Sequence, residues 1–219
     1  MIKAFLFDLN GTMINDMQFH IEAWHLILNE LGANLSLEET KHQCYGTSFE
    51  MFERVFPGKF SKAEIKTITE KKENAYQKKY LPHLKLIDGL PKFLEDAKKQ
   101  NIKMAIGSAA MMFNIDFVLD NLKIRHYFDA IVSADDVQNS KPDGETYEKC
   151  ATALNVKPYE CIVFEDVPKG VESATNADAL CVVIEGAHHT KEEFKNFTNV
   201  ISFVKSYKEL EIKTLVKNN

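Results

Sequence analysis

Short apolar runs recur along most of the chain and are separated by stretches with helical spacing. The first run is "AFLF" at residues 4–7, and later ones are "IKMAIGSA", "AIVSAD", "CIVFED", "LCVVIE" and "VISFV". Runs of this length are typical of strands that are buried on both faces of a sheet. Helical patterns over residues 89–100, 114–121 and 145–155 lie between them. The alternation predicts an α/β fold, a doubly wound parallel sheet with helices on both faces.

The segment between the first two of these strands is helical in pattern instead. Apolar residues recur at helical spacing over 16–31. Two Ser-x-x-Glu capping boxes, at Ser36 and Ser61, have the composition that begins helices, and a further helix is expected over 48–56. Residues 16–81 are therefore predicted to be entirely helical.

This helical segment predicts a division into two domains. Pro82 and Gly89 punctuate the chain where the alternation of strand and helix resumes. We expect a core domain formed by residues 1–14 and 87–219, and a small all-helical cap domain of residues 15–86 inserted after the first strand. The two crossings between the domains would serve as hinges, so the cap is expected to act as a lid.

Composition and charge exclude several classes of partner. The 219 residues are 45% hydrophobic, which is enough for a sizeable core, and the net charge is −5 with acids and bases interspersed. No cationic field is available to hold nucleic acid or an acidic membrane surface. No run approaches the roughly 18 apolar residues of a membrane span, and the start lacks a secretion signal, so a cytoplasmic protein is expected. The four cysteines have no short paired spacing and are expected to be reduced thiols.

Polar residues with complementary chemistry follow the predicted strands. Asp8 follows the first strand and Ser108 the second. Lys141 comes after the third, and the pair Glu165 and Asp166 ends the fourth. Ligands bind outside the carboxyl ends of the strands in open α/β sheets, so these residues are expected to meet at one edge. Each has an ordinary alternative as a turn former or helix cap, but their combination indicates a functional site.

The combination fits phosphate chemistry. Three carboxylates would repel one another without a cation, and hard oxygen ligands with no imidazole or thiolate nearby suit Mg²⁺. Ser108, the neighbouring backbone amides such as that of Ala109, and Lys141 supply the donors and the positive charge that a bound phosphate needs. Asp8 is then available to attack phosphorus, so the residues predict phosphoryl transfer through an aspartyl-phosphate.

Four segments resemble the signature segments of the haloacid dehalogenase superfamily, in its phosphatase and β-phosphoglucomutase-like branch with a helical cap. They are "DLNGT" at Asp8, "GSAA" at Ser108, "SKPDGETY" at Lys141 and "VFEDVPKGVESA" at Glu165. The resemblance spans essentially the whole chain. It implies that Asp8 is the nucleophile and that Ser108 and Lys141 hold the transferring phosphoryl group. The Mg²⁺ ligands that it implies are Asp8, the backbone carbonyl of Asn10, Asp166 and, directly or through water, Glu165.

The resemblance also implies substrate-binding residues in the cap. His20 lies where relatives often carry a histidine that faces the active site, and Lys72 matches a lysine that contacts the non-transferring phosphate in sugar-phosphate mutases. Thr47 belongs to a Gly-x-Ser after which those mutases place an Arg, whereas this chain has Phe49. The implied partner is a small phosphorylated metabolite, in the first place a sugar phosphate. The ordinary alternatives are a solvated or core histidine for His20 and a solvated charged helix face for Lys72.

Asn10 is the main departure from the family, which usually carries Asp there as the general acid and base. A carboxamide cannot exchange a proton at neutral pH, and loss of such a group costs roughly 10² to 10⁴ in rate, or about 3 to 5 kcal/mol. Metal binding is expected to survive because it requires only the main-chain carbonyl. Three explanations stay open: an engineered substitution, a natural enzyme that uses another acid such as His20 or a substrate that needs none, and a binding protein that has lost turnover.

Two neighbouring classes of protein are less compatible with the chain. A receiver domain also uses Asp, a hydroxyl and Lys on a parallel sheet, but it is far smaller and has no inserted cap. Halide-releasing relatives need no metal, so the pair Glu165 and Asp166 favours phosphate chemistry. We therefore expect a phosphatase first, a β-phosphoglucomutase-like mutase second and a phospho-ligand-binding protein third.

His188 and His189 resemble a metal pair but are expected to be solvated in a loop.

Overall fold

A six-stranded parallel sheet forms the larger part of the protein. The computed structural model describes residues 1–44, 46–186 and 189–217. The strands are β1 (Ala4–Phe7), β2 (Lys103–Gly107), β3 (Ala130–Val132), β4 (Cys161–Glu165), β5 (Leu180–Ile184) and β6 (Val200–Val204). Their order across the sheet is β3-β2-β1-β4-β5-β6, and neighbouring strands are parallel. The predicted α/β fold is confirmed, including the strand at "VISFV".

Helices connect the strands and also form a second compact unit. The α-helices of the described residues are α1 (Met17–Glu30), α2 (Leu37–Gln43), α3 (Ser48–Val55), α4 (Lys62–Tyr80), α5 (Leu90–Lys99), α6 (Met112–Leu122), α7 (Glu145–Ala153), α8 (Pro168–Asn176) and α9 (Ile212–Lys217). None of these helices is long and apolar enough to cross a membrane. The core unit, Met1–Asn15 with Lys85–Asn219, contains the sheet and α5 to α9. The helical unit, Asp16–Leu84, contains α1 to α4.

Burial on both faces fixes β1 at the centre of the sheet. The strand lies between β2 and β4, and all four of its residues are fully buried. Successive side chains alternate, so Phe5 and Phe7 pack on one face while Leu6 packs on the other. The ring of Phe7 stacks on that of Phe164 in β4, with centroids 4.7 Å apart. The residue that follows this anchored strand, Asp8, is therefore held at the edge of the sheet.

The strand register brings the ends of β1, β2 and β4 to the same level. Phe7 is opposite Ile106 in β2 and Phe164 in β4. The ladder continues one residue further, because the amide of Asp8 donates to the carbonyl of Phe164 at 3.0 Å. Parallel strands run in one direction, so Ser108 after β2 lies at the same edge as Asp8.

The helical unit has an apolar core of its own. The predicted capping boxes that begin at Ser36 and Ser61 are both present, and a third one begins at Thr47. Each box satisfies backbone amides that the first turn of a helix leaves without a partner. The buried residues of this core are Trp24, Leu28, Met51, Phe52, Phe56 and Ile65.

Candidate active site

A tight turn after β1 shapes the first part of the site. The amide of Gly11 donates to the carbonyl of Ile14 at 2.7 Å, and Asn10 pairs with Ile14 in an isolated bridge. Asp8 is 8% exposed, and Asn10 is half-buried. The turn therefore holds Asp8 and Asn10 at the sheet edge, and its own backbone groups pair with each other.

Gly11 allows the turn to approach Asp166 closely. Its φ is +84°, which L-residues rarely adopt, and a Cβ atom there would lie 2.0 Å from Asp166 Oδ2. The next residue, Thr12, is fully buried and donates its hydroxyl to Asp166 Oδ1 at 3.1 Å. The turn after β1 thus packs directly against the Asp166 carboxylate after β4 and is hydrogen-bonded to it.

Lys141 joins the strand ends electrostatically. Its ammonium lies 2.7 Å from Asp8 Oδ1 and 2.7 Å from Glu165 Oε1, and it also donates to the Tyr147 hydroxyl at 2.8 Å. Burial alone would lower the pKa of Lys141, but the charges of Asp8 and Glu165 and their hydrogen bonds raise it well above its usual range. The lysine is consequently a permanent cation at neutral pH.

Glu165 is fully buried, and both of its oxygens accept hydrogen bonds from the protein. Oε1 accepts from Lys141 and from the Tyr147 hydroxyl at 2.7 Å, and Oε2 accepts from the amide of Asp166 at 3.0 Å. Burial, and then the charges of Glu165 and Asp8, raise the pKa of Tyr147 well above its usual value, so the phenol stays protonated. A Cβ atom on Gly170 would lie 1.9 Å from the Glu165 carboxyl carbon, so this helix glycine makes room for the carboxylate.

Three carboxylates of the core unit could hold a divalent cation. Asp8, Glu165 and Asp166 are all buried, and each offers an oxygen within 4.8 Å of the others. Burial, followed by the charges of Glu165 and Asp8, raises the pKa of Asp166 well above its ordinary value. Among the described residues of this cluster, the three carboxylates are accompanied by one ammonium group, that of Lys141. This excess of negative charge on hard oxygen atoms fits a Mg²⁺-like ion.

Ser108 lies directly after β2, at the same edge of the sheet. It is 1% exposed, and its hydroxyl oxygen accepts from the amide of Ala110 at 3.1 Å. Ala109 is exposed at the same edge. The structure therefore brings Asp8, Lys141, Glu165 and Asp166 into one bonded cluster and places Ser108 on the neighbouring strand.

A second buried polar cluster lies inside the helical unit. Lys72 is 2% exposed, and its ammonium lies 2.6 Å from His20 Nδ1 and 2.9 Å from Glu73 Oε1. His20 Nε2 is 3.3 Å from Asp16 Oδ2, and the Tyr76 hydroxyl donates to the same oxygen at 2.5 Å. Burial lowers the pKa of Lys72, although Glu73 opposes that shift. The interpretation of Lys72 as part of a solvated charged face is wrong, because the side chain is enclosed and paired.

Thr47 has a structural task at the start of α3. Its hydroxyl oxygen accepts from the amide of Glu50 at 3.2 Å, and its hydroxyl donates to Glu50 Oε2 at 3.0 Å. The predicted contact of Thr47 with substrate stays a prediction. On the core unit, His188 lies outside the described residues, while His189 Nδ1 lies 3.0 Å from Glu193 Oε1.

Two members of the site were not assigned by the sequence prediction. Tyr147 lies within the quoted segment "SKPDGETY", six positions after Lys141, and Thr12 ends the quoted segment "DLNGT". Both could have been suspected from these motifs, but a tyrosine in a helical pattern is more often core. Their hydrogen bonds to Glu165 and Asp166 are visible only in the folded chain.

Comparison with known proteins agrees with this fold. The profile of the haloacid dehalogenase-like hydrolase family matches residues 5–184. The chain therefore belongs to this family, and it is an enzyme with hydrolase or mutase chemistry.

Three similar proteins illustrate the range of the family. Fructose-1-phosphate phosphatase YqaB of Escherichia coli (strain K12) is 27% identical over 175 residues, which are 78% of this chain and 90% of that protein. β-Phosphoglucomutase of Bacillus subtilis (strain 168) is 27% identical over 189 residues, 83% of this chain and 82% of that protein. The crystal structure of a HAD hydrolase, family IA, variant 3, from Entamoeba histolytica HM-1:IMSS is 29% identical, with a TM-score of 0.89 over 98% of both chains.

Proposed function

We propose that this enzyme is a Mg²⁺-dependent phosphatase that forms an aspartyl-phosphate at Asp8 and hydrolyses it. The observation that carries the proposal is the position of Lys141, whose ammonium lies 2.7 Å from both Asp8 and Glu165. A permanent cation beside a buried carboxylate attracts the oxygens of a phosphoryl group to the point where the carboxylate can attack. The carboxylates of Glu165 and Asp166 complete a site for that chemistry.

Each polar residue of the site then has one task. Asp8 is the nucleophile, and Lys141 orients it by holding Oδ1. The Ser108 hydroxyl and the backbone amide of Ala109 donate to the oxygens of the phosphoryl group. Pre-placed donors of this kind stabilise the charge that develops during transfer without reorganisation of the site.

The same residues would hold Mg²⁺ in a defined way. The proposed ligands are Asp8, the backbone carbonyl of Asn10 and Asp166. The bound ion would neutralise charge on the phosphoryl group and reduce repulsion with the carboxylates. Glu165 would contribute through Lys141 or a water molecule, because both of its oxygens already accept hydrogen bonds.

We propose a small sugar phosphate as the substrate. The phosphatase and the mutase described above are named for fructose 1-phosphate and phosphoglucose, which supports this class. We also propose that the helical unit serves as the cap that selects the substrate, with His20, Thr47 and Lys72 as its predicted contacts.

Release of inorganic phosphate from a panel of sugar phosphates and nucleotides tests the proposal. We expect release to require Mg²⁺ and to fall by about 10⁴ or more in Asp8→Asn, because the nucleophile is lost. Asp178→Asn, an exposed substitution of the same type, is the control and should keep the parent rate. Release that survives Asp8→Asn would contradict the proposal.

An isomerising mutase is the second candidate, and the similarity to β-phosphoglucomutase is the observation that favours it. Phe49 stands where the resemblance would place an Arg in a sugar-phosphate mutase, and this favours the phosphatase. Conversion of β-glucose 1-phosphate to the 6-phosphate without release of phosphate would establish the mutase instead.

A further inference from the structure

The side-chain protons of Lys141, Tyr147 and Thr12 are already committed to hydrogen bonds within the cluster around Asp8. The Lys141 ammonium donates to Asp8, Glu165 and the Tyr147 oxygen, and the Tyr147 hydroxyl donates to Glu165. The hydroxyl of Thr12 donates to Asp166. A group that must give a proton to a leaving oxygen would have to break one of these buried contacts, which is costly.

The segment that follows Ser108 brings no acid or base to this edge. It reads Ala109, Ala110, Met111, Met112 and Phe113, and each of these residues is exposed or half-buried. Phe113 is 48% exposed. This border of the site can contact a ligand, but it cannot exchange a proton with one.

The carboxylates that follow β3 are engaged elsewhere, and the one that follows β5 is exposed. Asp135 accepts from the amide of Met112 at 2.9 Å, and Asp136 accepts from the hydroxyl of Ser133 at 2.6 Å. Glu185 is exposed, with a carboxylate oxygen 4.0 Å from Lys205 Nζ. These contacts commit Asp135 and Asp136 to other partners.

Asn10 stands at the position where the resemblance places the general acid and base of the family. It is half-buried two residues after Asp8, in the turn in which Gly11 approaches Asp166. Its side chain is an amide, which donates and accepts hydrogen bonds but does not ionise. Among the described residues, this edge of the core unit therefore offers a nucleophile and a cation, and position 10 offers no ionisable side chain.

Resting on the proposed function, we infer that this enzyme takes its phosphoryl group from donors with an acidic leaving group and hydrolyses the resulting aspartyl-phosphate at Asp8 slowly. An oxygen of Asp8 bonds to phosphorus as the bond from phosphorus to the leaving oxygen breaks. The leaving oxygen departs with the electron pair and needs no proton from the protein. Acyl and aryl phosphates meet this condition best, and glycosyl phosphates meet it better than phosphates of ordinary alcohols.

The second half of the reaction is slow for the same reason. Water attacks phosphorus, the bond to the Asp8 oxygen breaks, and inorganic phosphate leaves while the proton of the water passes to solvent. Without a positioned base, this step loses roughly 10² to 10⁴ in rate. The phosphorylated enzyme therefore accumulates during turnover.

Rates of phosphorylation across a series of donors test the inference. Acetyl phosphate, substituted aryl phosphates and an alkyl phosphate are reacted with the Mg²⁺-loaded enzyme, and log rate is plotted against the pKa of the leaving group. We expect a steep negative slope. Intact-mass spectrometry should show that most of the enzyme carries one phosphoryl group during turnover and keeps it after the donor is removed.

Asn10→Asp places a carboxylate at the same position. We expect it to flatten the slope, to accelerate transfer from the alkyl phosphate roughly 10² to 10⁴-fold with little change for acetyl phosphate, and to shorten the lifetime of the phosphoenzyme. Asn101→Asp is the matched control, because Asn101 is exposed in the turn before β2, at the opposite edge of the sheet. It should behave as the parent does.

Two outcomes overturn the inference and are distinguishable. A shallow slope and a short-lived phosphoenzyme in the parent would show that another group shuttles the proton, while the proposed phosphatase function would stand. If no variant releases phosphate or becomes phosphorylated with any donor, both the inference and the proposed function fail. The slope and the lifetime of the parent need no substituted protein, so the test survives a variant that does not fold.

Discussion

Replacement of Gly11 tests whether the close approach of the turn after β1 to Asp166 matters for stability and for Mg²⁺ binding. A Cβ atom would lie 2.0 Å from Asp166 Oδ2 in a backbone with φ +84°. We expect Gly11→Ala to lower the free energy of unfolding by more than the roughly 1–2 kcal/mol that a positive φ costs an L-residue. Because Asp166 must move, Mg²⁺ affinity should also fall about 10–100-fold, as titration calorimetry would measure.

Gly32→Ala is the matched control for this change. Its φ is +92°, and no other atom lies within 4 Å of the added Cβ, so it carries the backbone cost alone. Unchanged Mg²⁺ affinity in Gly11→Ala would mean that the position of Asp166 does not matter for the ion.

At the scale of residues, chemistry that follows a strand was predictable and chemistry that depends on packing was not. Asp8 and Lys141 could be expected at one edge because strand direction fixes where their loops begin. The partner of Tyr147 could not be predicted, since its hydrogen bond to Glu165 depends on how α7 packs against the sheet. A tyrosine at helical spacing predicts burial but does not identify its partner.

At the scale of elements, substitution of Thr47 distinguishes a role as a helix cap from a role as a substrate contact. Its hydroxyl begins α3 in a capping box with Glu50, so Thr47→Ala should lower the free energy of unfolding by about 1 kcal/mol. Ser61→Ala removes the equivalent cap of α4 and should cost a similar amount. Chemical denaturation measures both. If Thr47 also contacts substrate, only Thr47→Ala will raise KM, and equal KM values in the two variants would contradict that contact.

The charged helix α4 shows where the sequence pattern is insufficient. Capping predicted its start at Ser61, because that signal is local. The burial of Lys72 and Glu73 was not predictable, since adjacent charges normally indicate a solvated face. They are enclosed because α1 packs on this helix and brings His20 against Lys72.

At the scale of the whole molecule, the acidic cluster links stability to bound cation. The raised pKa of Asp166 means that the folded state favours the protonated carboxyl. The stabilisation from the protonated form is complete below the unfolded pKa of about 4 and is lost as the pH rises through the raised folded pKa. Asp166→Asn should therefore match or exceed the thermal midpoint of the parent at neutral pH without divalent ions.

Addition of Mg²⁺ should reverse that order. At about 100 times its dissociation constant, the ion should stabilise the parent by about 2.7 kcal/mol and Asp166→Asn by much less. Differential scanning calorimetry measures both effects, with Asp178→Asn, exposed after α8, as the control. Equal stabilisation of all three proteins would place the ion elsewhere.

The measurement that tests the central claim most directly is the location of the phosphoryl group on the enzyme. The Mg²⁺-loaded protein is mixed with acetyl phosphate, quenched in acid and digested, and the modified peptide is identified by tandem mass spectrometry. We predict that the phosphoryl group is on Asp8 and that Asp8→Asn carries none. Phosphoryl transfer to another residue, or release of phosphate from the donor with Asp8 never modified, would contradict the account.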